Sequence, residues 1–347
     1  MSQTQTVIRI TGERNSLRNL KAFREEIPKP GKYEVLIKVH AVSLNYRDIA
    51  VATSQYPFPV KDNVIPCSDA AGVVVEVGEG VKGVVKGDYV IGTFDPTNTF
   101  GQQEDWHNGQ GGPVDGVLRE YLTLPGFAAV KLPKDSPLSF SEWSTLVCTG
   151  VTAWNALYGN IPLRPGQIVL GQGTGGVSIT GLLLAKAAGA TTIVTSSSDE
   201  KLETVKAEFG FDYGVNYKKH PEWSKEVLRL TGGEGVDYVL ENGGSGTITE
   251  SINAVKMGGN VSVIGFLSQA EEMPDVAGLA LAKGAVVRGI TVGSTQLLQE
   301  VVRFVGRKGL RLPVNKEFGF SAEEAVKALE YLQSSSHIGK VCIKVAE

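Results

Sequence analysis

Between Leu170 and Lys201 the chain reads LGQGTGGVSITGLLLAKAAGATTIVTSSSDEK. Ile168, Val169 and Leu170 form a short apolar run, and Gly171, Gly173, Gly175 and Gly176 follow at once. That order predicts a strand, a tight glycine turn and a helix over Val177 to Ala188, whose first-turn N–H groups lack partners within the helix. Such N–H groups, at the positive end of the helix, attract phosphate. A GxGxxG-like string is weak evidence alone and much stronger between a strand and a helix, where it marks a dinucleotide site. Gly173, Thr174, Gly175, Gly176 and Val177 are therefore the expected pyrophosphate contacts.

The next strand narrows the ligand. Units selective for NAD carry an acid about 20 residues past the glycines, bonded to the ribose hydroxyls. Here Thr191 to Thr195 runs into Ser196, Ser197 and Ser198, with Lys201 one helical turn on and no acid at the strand tip. Ser197, Ser198 and Lys201 suit a 2′-phosphate, which points to NADPH. Two features compete with this reading: Ser197 and Glu200 have the spacing of a capping box, and Asp199 and Glu200 oppose an anion.

The elements that must position these residues fall into blocks. Up to about residue 146 the chain is β-rich, with VLIKVHAVSL, AAGVVVEVGEGV and DYVIGTF separated by Gly, Pro and Asp turns. Beyond Ile168, strand-like IVL, TTIVT, YGVNY, VDYVLE, NVSVIG and VVRGITV alternate with helical segments such as EKLETVKAEF. That alternation predicts an α/β fold, a doubly wound parallel sheet covered on both faces. Ser321 with Glu324 caps an amphipathic AEEAVKALEYLQ helix, and KVCIKV is expected to rejoin the first block's sheet. The length of 347 residues suits two domains, and a net charge of −3 gives no electrostatic reason to expect nucleic acid or an anionic membrane. Cys67, Cys148 and Cys342 form neither a disulfide framework nor a CxxC site, so a reducing, cytoplasmic setting is expected. MSQTQTVIRITGERNSL has no signal core, and no apolar run is long enough to span a membrane.

SLNYRD (43–48), IPCSDAAGVVVEVGEGVKGVVKGDYV (65–90), DGVLREY (115–121), CTGVTAW (148–154), the glycine turn and HIGKVCIKV (337–345) together resemble the medium-chain dehydrogenase/reductase superfamily. Within it the chain looks similar to the zinc-independent, quinone-oxidoreductase-like branch; Ser178 stands where the third fingerprint glycine is usual. The resemblance implies a GroES-like catalytic domain over 1–146 and 296–347 and a Rossmann domain over 147–295. It matches the zinc-holding positions of zinc-dependent relatives to Asn45, to Ser68 with Asp69, and to Thr145, a set with one plausible ligand where zinc needs three. Asp95 to Gly116, the place of a structural zinc lobe, contains no cysteine. No metal is therefore expected.

Zinc in relatives stabilises the charge left on one oxygen when a simple ketone is reduced. A quinone or enone spreads that charge over its own conjugated system, so hydrogen bonds suffice. Asn45, Tyr46 and Tyr56 are the candidate catalytic residues, with Asp48 read as structural. The resemblance adds Thr149 and Thr152 near the nicotinamide, Tyr217 near the adenosine phosphate, Asn242 near the adenine or ribose, Gly265, Phe266, Gly293 and Ser294 on the nicotinamide-ribose side, and Lys340 on the pyrophosphate. It also implies a homodimer joined through VVRGITV. Three readings stay open: an NADPH-dependent quinone or enone reductase, an NADP-dependent alcohol dehydrogenase or carbonyl or enoyl reductase on another substrate, and a non-catalytic NADPH-binding protein.

Overall fold

The structure, a computed structural model, describes residues 3–346. Two units emerge, Met1–Val151 with Val292–Glu347, and Thr152–Thr291.

The N-terminal part of the first unit contains β1 (Thr4–Ile10), β2 (Leu20–Glu26), β3 (Glu34–Ser43), α1 (Tyr46–Ala52), β4 (Asp69–Val77), β5 (Tyr89–Gly92), β6 (Tyr121–Pro125), β7 (Ala129–Lys131) and α2 (Phe140–Ser144). A π-helical turn, Leu146–Gly150, leads into α3 (Val151–Tyr158). The second unit continues with β8 (Ile168–Gln172), α4 (Gly176–Ala187), β9 (Thr191–Ser196), α5 (Asp199–Phe209), β10 (Tyr213–Asn216), α6 (Trp223–Leu230), β11 (Val236–Glu241), α7 (Ile248–Ala254), β12 (Val255–Val263), α8 (Val276–Lys283) and β13 (Val286–Gly289). The chain then returns to the first unit through α9 (Thr295–Lys308), β14 (Val314–Gly319), α10 (Ala322–Gln333) and β15 (Lys340–Lys344).

In the second unit six strands run in the order β10-β9-β8-β11-β12-β13, and every pairing is parallel. The order reverses between β8 and β11, and doubly wound sheets bind ligands outside the carboxyl ends of the strands at such a reversal. Leu170, Ile193, Val239 and Val261, one from each central strand, are fully buried in a core that also takes Val227 of α6 and Ile252 of α7. VVRGITV is shorter as a strand than its sequence suggests. Only Val286–Gly289 pairs with β12, and Val292 adopts a φ of +52°, which turns the chain out of the sheet.

In the first unit the sheet order is β14-β15-β3-β4-β5-β7, with β6 also on β3. KVCIKV does join this sheet: β15 pairs parallel with β14 and antiparallel with β3. The N–H of Leu44, just past β3, donates to the Val341 carbonyl at 2.9 Å, which brings the start of β15 beside the start of α1. Ser321 caps α10 as its sequence predicts, its hydroxyl accepting from the Glu324 N–H at 3.1 Å.

Candidate functional site

Asn45 stands directly before α1 and is 9% exposed, while Tyr46, the next residue, is 44% exposed. The turn is held by Asp48, whose Oδ2 accepts the Asn45 backbone N–H at 2.8 Å, the structural role expected of it. Two donors converge on Asn45 Oδ1: the Lys340 ammonium at 2.6 Å and the Thr149 hydroxyl at 3.3 Å. An ammonium only donates, so the oxygen of the amide must face Lys340 and its NH2 must face away. That Nδ2 is buried, and the amide lies close enough to Asp69 to favour its charged form.

Around this amide lie two buried carboxylates. Asp69 accepts from the Ser68 hydroxyl at 2.6 Å and from the Cys148 N–H at 3.2 Å. Burial raises its pKa, against the pull of the Lys340 charge and these donors, with the Asn45 amide near enough to help. Burial pushes Asp48 up to about 6, although the Asn45 N–H and Arg47 favour its charged form. The Arg47 guanidinium lies 4.9 Å from the Tyr56 ring and 4.8 Å from the Phe94 ring, and donates to the Gln110 carbonyl at 2.7 Å. Tyr56 continues into an aromatic rim through Phe58, which stacks on Trp106 at 4.1 Å.

Two residues of this region lie in surroundings that the sequence did not indicate. Thr145 does not face Asp69: its hydroxyl turns back to the Glu142 carbonyl at 2.7 Å. The Cys148 backbone N–H, in the wide turn Leu146–Gly150, reaches Asp69 instead. Lys340, expected on a pyrophosphate, is 4% exposed and spends two protons on Leu44 O and Asn45 Oδ1, each at 2.6 Å.

Zinc does not fit this donor set. Asp69 takes the Cys148 backbone N–H beside Asn45, and burial, together with the Asp69 charge, pushes the Cys148 thiol up to about 12. A dication there would also meet the Lys340 ammonium. Among the described residues no three His, Cys, Asp or Glu side chains are grouped to hold a metal ion.

In the second unit the glycine turn fits a dinucleotide. Gly173 has a φ of +74°, and a Cβ at Gly173 or Gly175 would meet nothing within 4 Å. Twelve-residue α4 starts at Gly176 with no side chain capping it, which leaves its N–H groups for an anion. Thr174 and Val177 flank that start. Asn242 faces the turn rather than open space, donating to Ser178 Oγ at 2.9 Å and Gln172 O at 3.3 Å. Gly265 packs on the Asn242 backbone, where a Cβ would lie 2.3 Å from its carbonyl oxygen, and Phe266 beside it is 55% exposed. Thr152 is buried at the start of this unit.

At the tip of β9 the helix cap falls on Ser198, not Ser197: Ser198 Oγ accepts the Lys201 N–H at 3.3 Å. Ser197 is thus released from capping. Asp199, which opposes an anion, is engaged by Lys219, and Asn216 donates to it at 2.7 Å; these contacts hold its carboxyl below the usual range. Burial lowers the Lys201 ammonium somewhat. Tyr217 is 41% exposed, with its N–H on the Ser196 carbonyl at 3.0 Å. Gly293 and Ser294 do not end a strand; Ser294 is the N-cap of α9 and belongs to the first unit.

The sequence reading missed Glu241. Fully buried at the end of β11, it accepts from the Gly243 and Gly244 N–H groups at 2.7 and 2.8 Å, from Thr247 Oγ1 at 2.6 Å and from Gln172 Nε2 at 2.7 Å. Every oxygen is satisfied, so this carboxylate ties the loop after β11 to the end of β8. Its only signal was an acid in an apolar strand.

A dinucleotide-ready doubly wound unit and a β-rich unit bearing a buried polar cluster define a nicotinamide-dependent oxidoreductase architecture. Residues 31–134 match the alcohol dehydrogenase GroES-like domain and residues 176–307 the zinc-binding dehydrogenase family. A zinc-type alcohol dehydrogenase-like protein of Schizosaccharomyces pombe is 42% identical over 336 residues, 94% of this chain and 95% of that protein. An acryloyl-coenzyme A reductase of Sulfurisphaera tokodaii is 29% identical over 332 residues, 92% of this chain and 95% of the relative. The crystal structure of a putative alcohol dehydrogenase from Sinorhizobium meliloti 1021 superposes with a TM-score of 0.89 at 37% identity, covering 99% of this chain and all of that one. The chain belongs to the zinc-type alcohol dehydrogenase-like proteins of the medium-chain dehydrogenase/reductase superfamily.

Proposed function

We propose that this oxidoreductase is NADPH-dependent and zinc-independent, and that it delivers hydride to a quinone or an α,β-unsaturated carbonyl. The observation that carries the reading is the Asn45 amide, whose oxygen is held by Lys340 and Thr149 so that its NH2 points away from the Lys340 charge. A pre-oriented amide N–H favours an oxygen that gains charge during reaction over the resting substrate. When bound, NADPH supplies the hydride from its nicotinamide C4.

Asn45 holds the acceptor's oxygen, and Tyr46, which is exposed, or Tyr56, which lines the rim, supplies the proton. A conjugated acceptor suits this site because an amide N–H is a weaker electrophile than a metal ion. Ser197, Ser198 and Lys201 receive the 2′-phosphate, with Asp199 already neutralised by Lys219. The acryloyl-coenzyme A reductase relative favours a second reading within the same chemistry, an enoyl thioester as acceptor.

The supporting experiment follows NADPH oxidation by EDTA-treated protein with a quinone, an enone and an enoyl thioester, beside NADH and a secondary alcohol with NADP. Fast, NADPH-selective reduction of a conjugated acceptor supports the reading. Turnover of the alcohol alone, lost with EDTA and restored by zinc, overturns it.

We further infer a homodimer built on the β13 edge. Among the described residues β13 pairs only with β12, and adjacent α8 buries none of its residues, with Leu281 84% exposed. An unpaired edge beside an uncovered apolar helix suits pairing with a second copy.

A further inference from the structure

We infer that Lys340 is the positioning residue of this site: its ammonium holds the Asn45 oxygen, turns the amide N–H away from itself, and sets a positive charge behind it. The inference rests on the role proposed above for Asn45 and replaces the pyrophosphate role that the resemblance implies for Lys340.

Lysine is almost never fully buried unless its charge is paired, yet Lys340 is 4% exposed. Its ammonium is held by Leu44 O and Asn45 Oδ1, each at 2.6 Å. Those acceptors are themselves fixed. The Leu44 N–H binds Val341 O at 2.9 Å and the Asn45 N–H binds Asp48 Oδ2 at 2.8 Å, so backbone on both sides of the amide is tied down. An Asn side chain can present either end, and presenting its oxygen would repel a developing oxyanion. Lys340 excludes that orientation because an ammonium has no lone pair to offer the NH2. A charged donor on the amide oxygen also polarises the amide and strengthens its N–H as a donor. Asp48 and Asp69 both lie within the field of Lys340, which offsets buried negative charge that would otherwise oppose an oxyanion.

The test uses the full chain with Lys340→Arg, Lys340→Ala and Asn45→Asp, each loaded with NADPH. Arginine keeps the charge, and with it the fold, but its planar fork does not reproduce two single bonds diverging from one nitrogen. With a conjugated ketone at saturating NADPH, both Lys340 variants are expected to lose about 10- to 100-fold in kcat. The NADPH Kd from fluorescence titration should stay within about twofold of wild type, since no cofactor contact is removed. Methylammonium should restore part of the kcat of Lys340→Ala. Weakened NADPH binding with kcat retained would instead establish the pyrophosphate role and overturn the inference, as would an unchanged kcat in both variants. Asn45→Asp keeps an acceptor for Lys340 and removes the N–H. If Asn45→Asp turns over normally, the role of Asn45 fails; if it is inactive while the Lys340 variants are not, only the present inference fails. A readout independent of turnover is the Asn45 side-chain 15N–1H pair, assigned through Asn45→Asp: two resolved signals in the wild type, averaged or shifted in Lys340→Ala. Signals unchanged by the loss of Lys340 would refute the positioning role.

Discussion

Asp48 makes the stability of the first unit depend on pH in an unusual direction. The carboxyl is 1% exposed, and burial pushes its pKa up to about 6 from an ordinary 3.8, against the Asn45 N–H and Arg47, with Asp69 adding repulsion. Between those two values the folded chain binds more protons at this position than the unfolded chain does. Stability from Asp48 is therefore greatest at acidic pH and falls as pH rises through about 6. A tenfold change in proton affinity corresponds to about 1.4 kcal/mol, so the ionised carboxylate costs on the order of 3 kcal/mol at pH 8. Asp69 is raised by burial as well, whereas ion pairs and hydrogen bonds hold the partly buried Asp115 and Asp212 below their ordinary value. The measurement must therefore be a difference. Asp48→Asn cannot ionise and still offers an oxygen to the Asn45 N–H. Urea unfolding of both proteins from pH 4 to 8 should show the variant gaining on wild type with rising pH, mostly between pH 4 and 6 and levelling off above about 6, with a total change of about 2–3 kcal/mol. A difference that is flat across this range, or that falls with rising pH, would refute the assignment of a raised pKa to Asp48.

At the cofactor end, Lys201→Ala should reduce the preference for NADPH over NADH by about 10- to 100-fold, the loss of one charge-assisted hydrogen bond, read as the ratio of the two Kd values. An unchanged ratio removes Lys201 from the 2′-phosphate. For the dimer, Val287→Pro at the β13 edge removes a backbone donor. It should convert a dimeric mass to a monomeric one in light scattering, and a monomeric wild type would dispose of the interface. Gly116→Ala places a Cβ 1.9 Å from the Cys67 carbonyl oxygen, against backbone that cannot yield cheaply. The variant should lose about 1–3 kcal/mol or more in urea unfolding, and wild-type stability would show that this approach relaxes.

The parts of this protein legible from sequence are those whose physics is local. A β-branched run, a glycine turn and an apolar helix specify one another within about 20 residues, so the β8–α4–β9 unit and its phosphate-binding end could be read directly. The cap at the tip of β9 was misplaced by one residue because Ser197 and Ser198 are chemically equal candidates, and only the backbone selects Ser198. Thr145 was matched through the family resemblance alone, and the π-helical turn Leu146–Gly150, which brings the Cys148 N–H to Asp69, has no signature in the local sequence.

The surroundings of Lys340 were illegible for a different reason. Strand alternation separates an inward side chain from an outward one only when one face meets water, and in β15 the first four residues are all buried. With both faces covered, the pattern says nothing about where the ammonium goes. Its destination is set by residues far earlier in the chain, through Leu44 and Asn45. On the role proposed for Asn45, a cation delivered to its amide from the far end of the chain would tie catalysis to the docking of β15 on β3. Perturbations of the β15 register should therefore lower hydride transfer while leaving intact the glycine turn, where the Gly173 N–H donates to Thr195 Oγ1 at 3.2 Å.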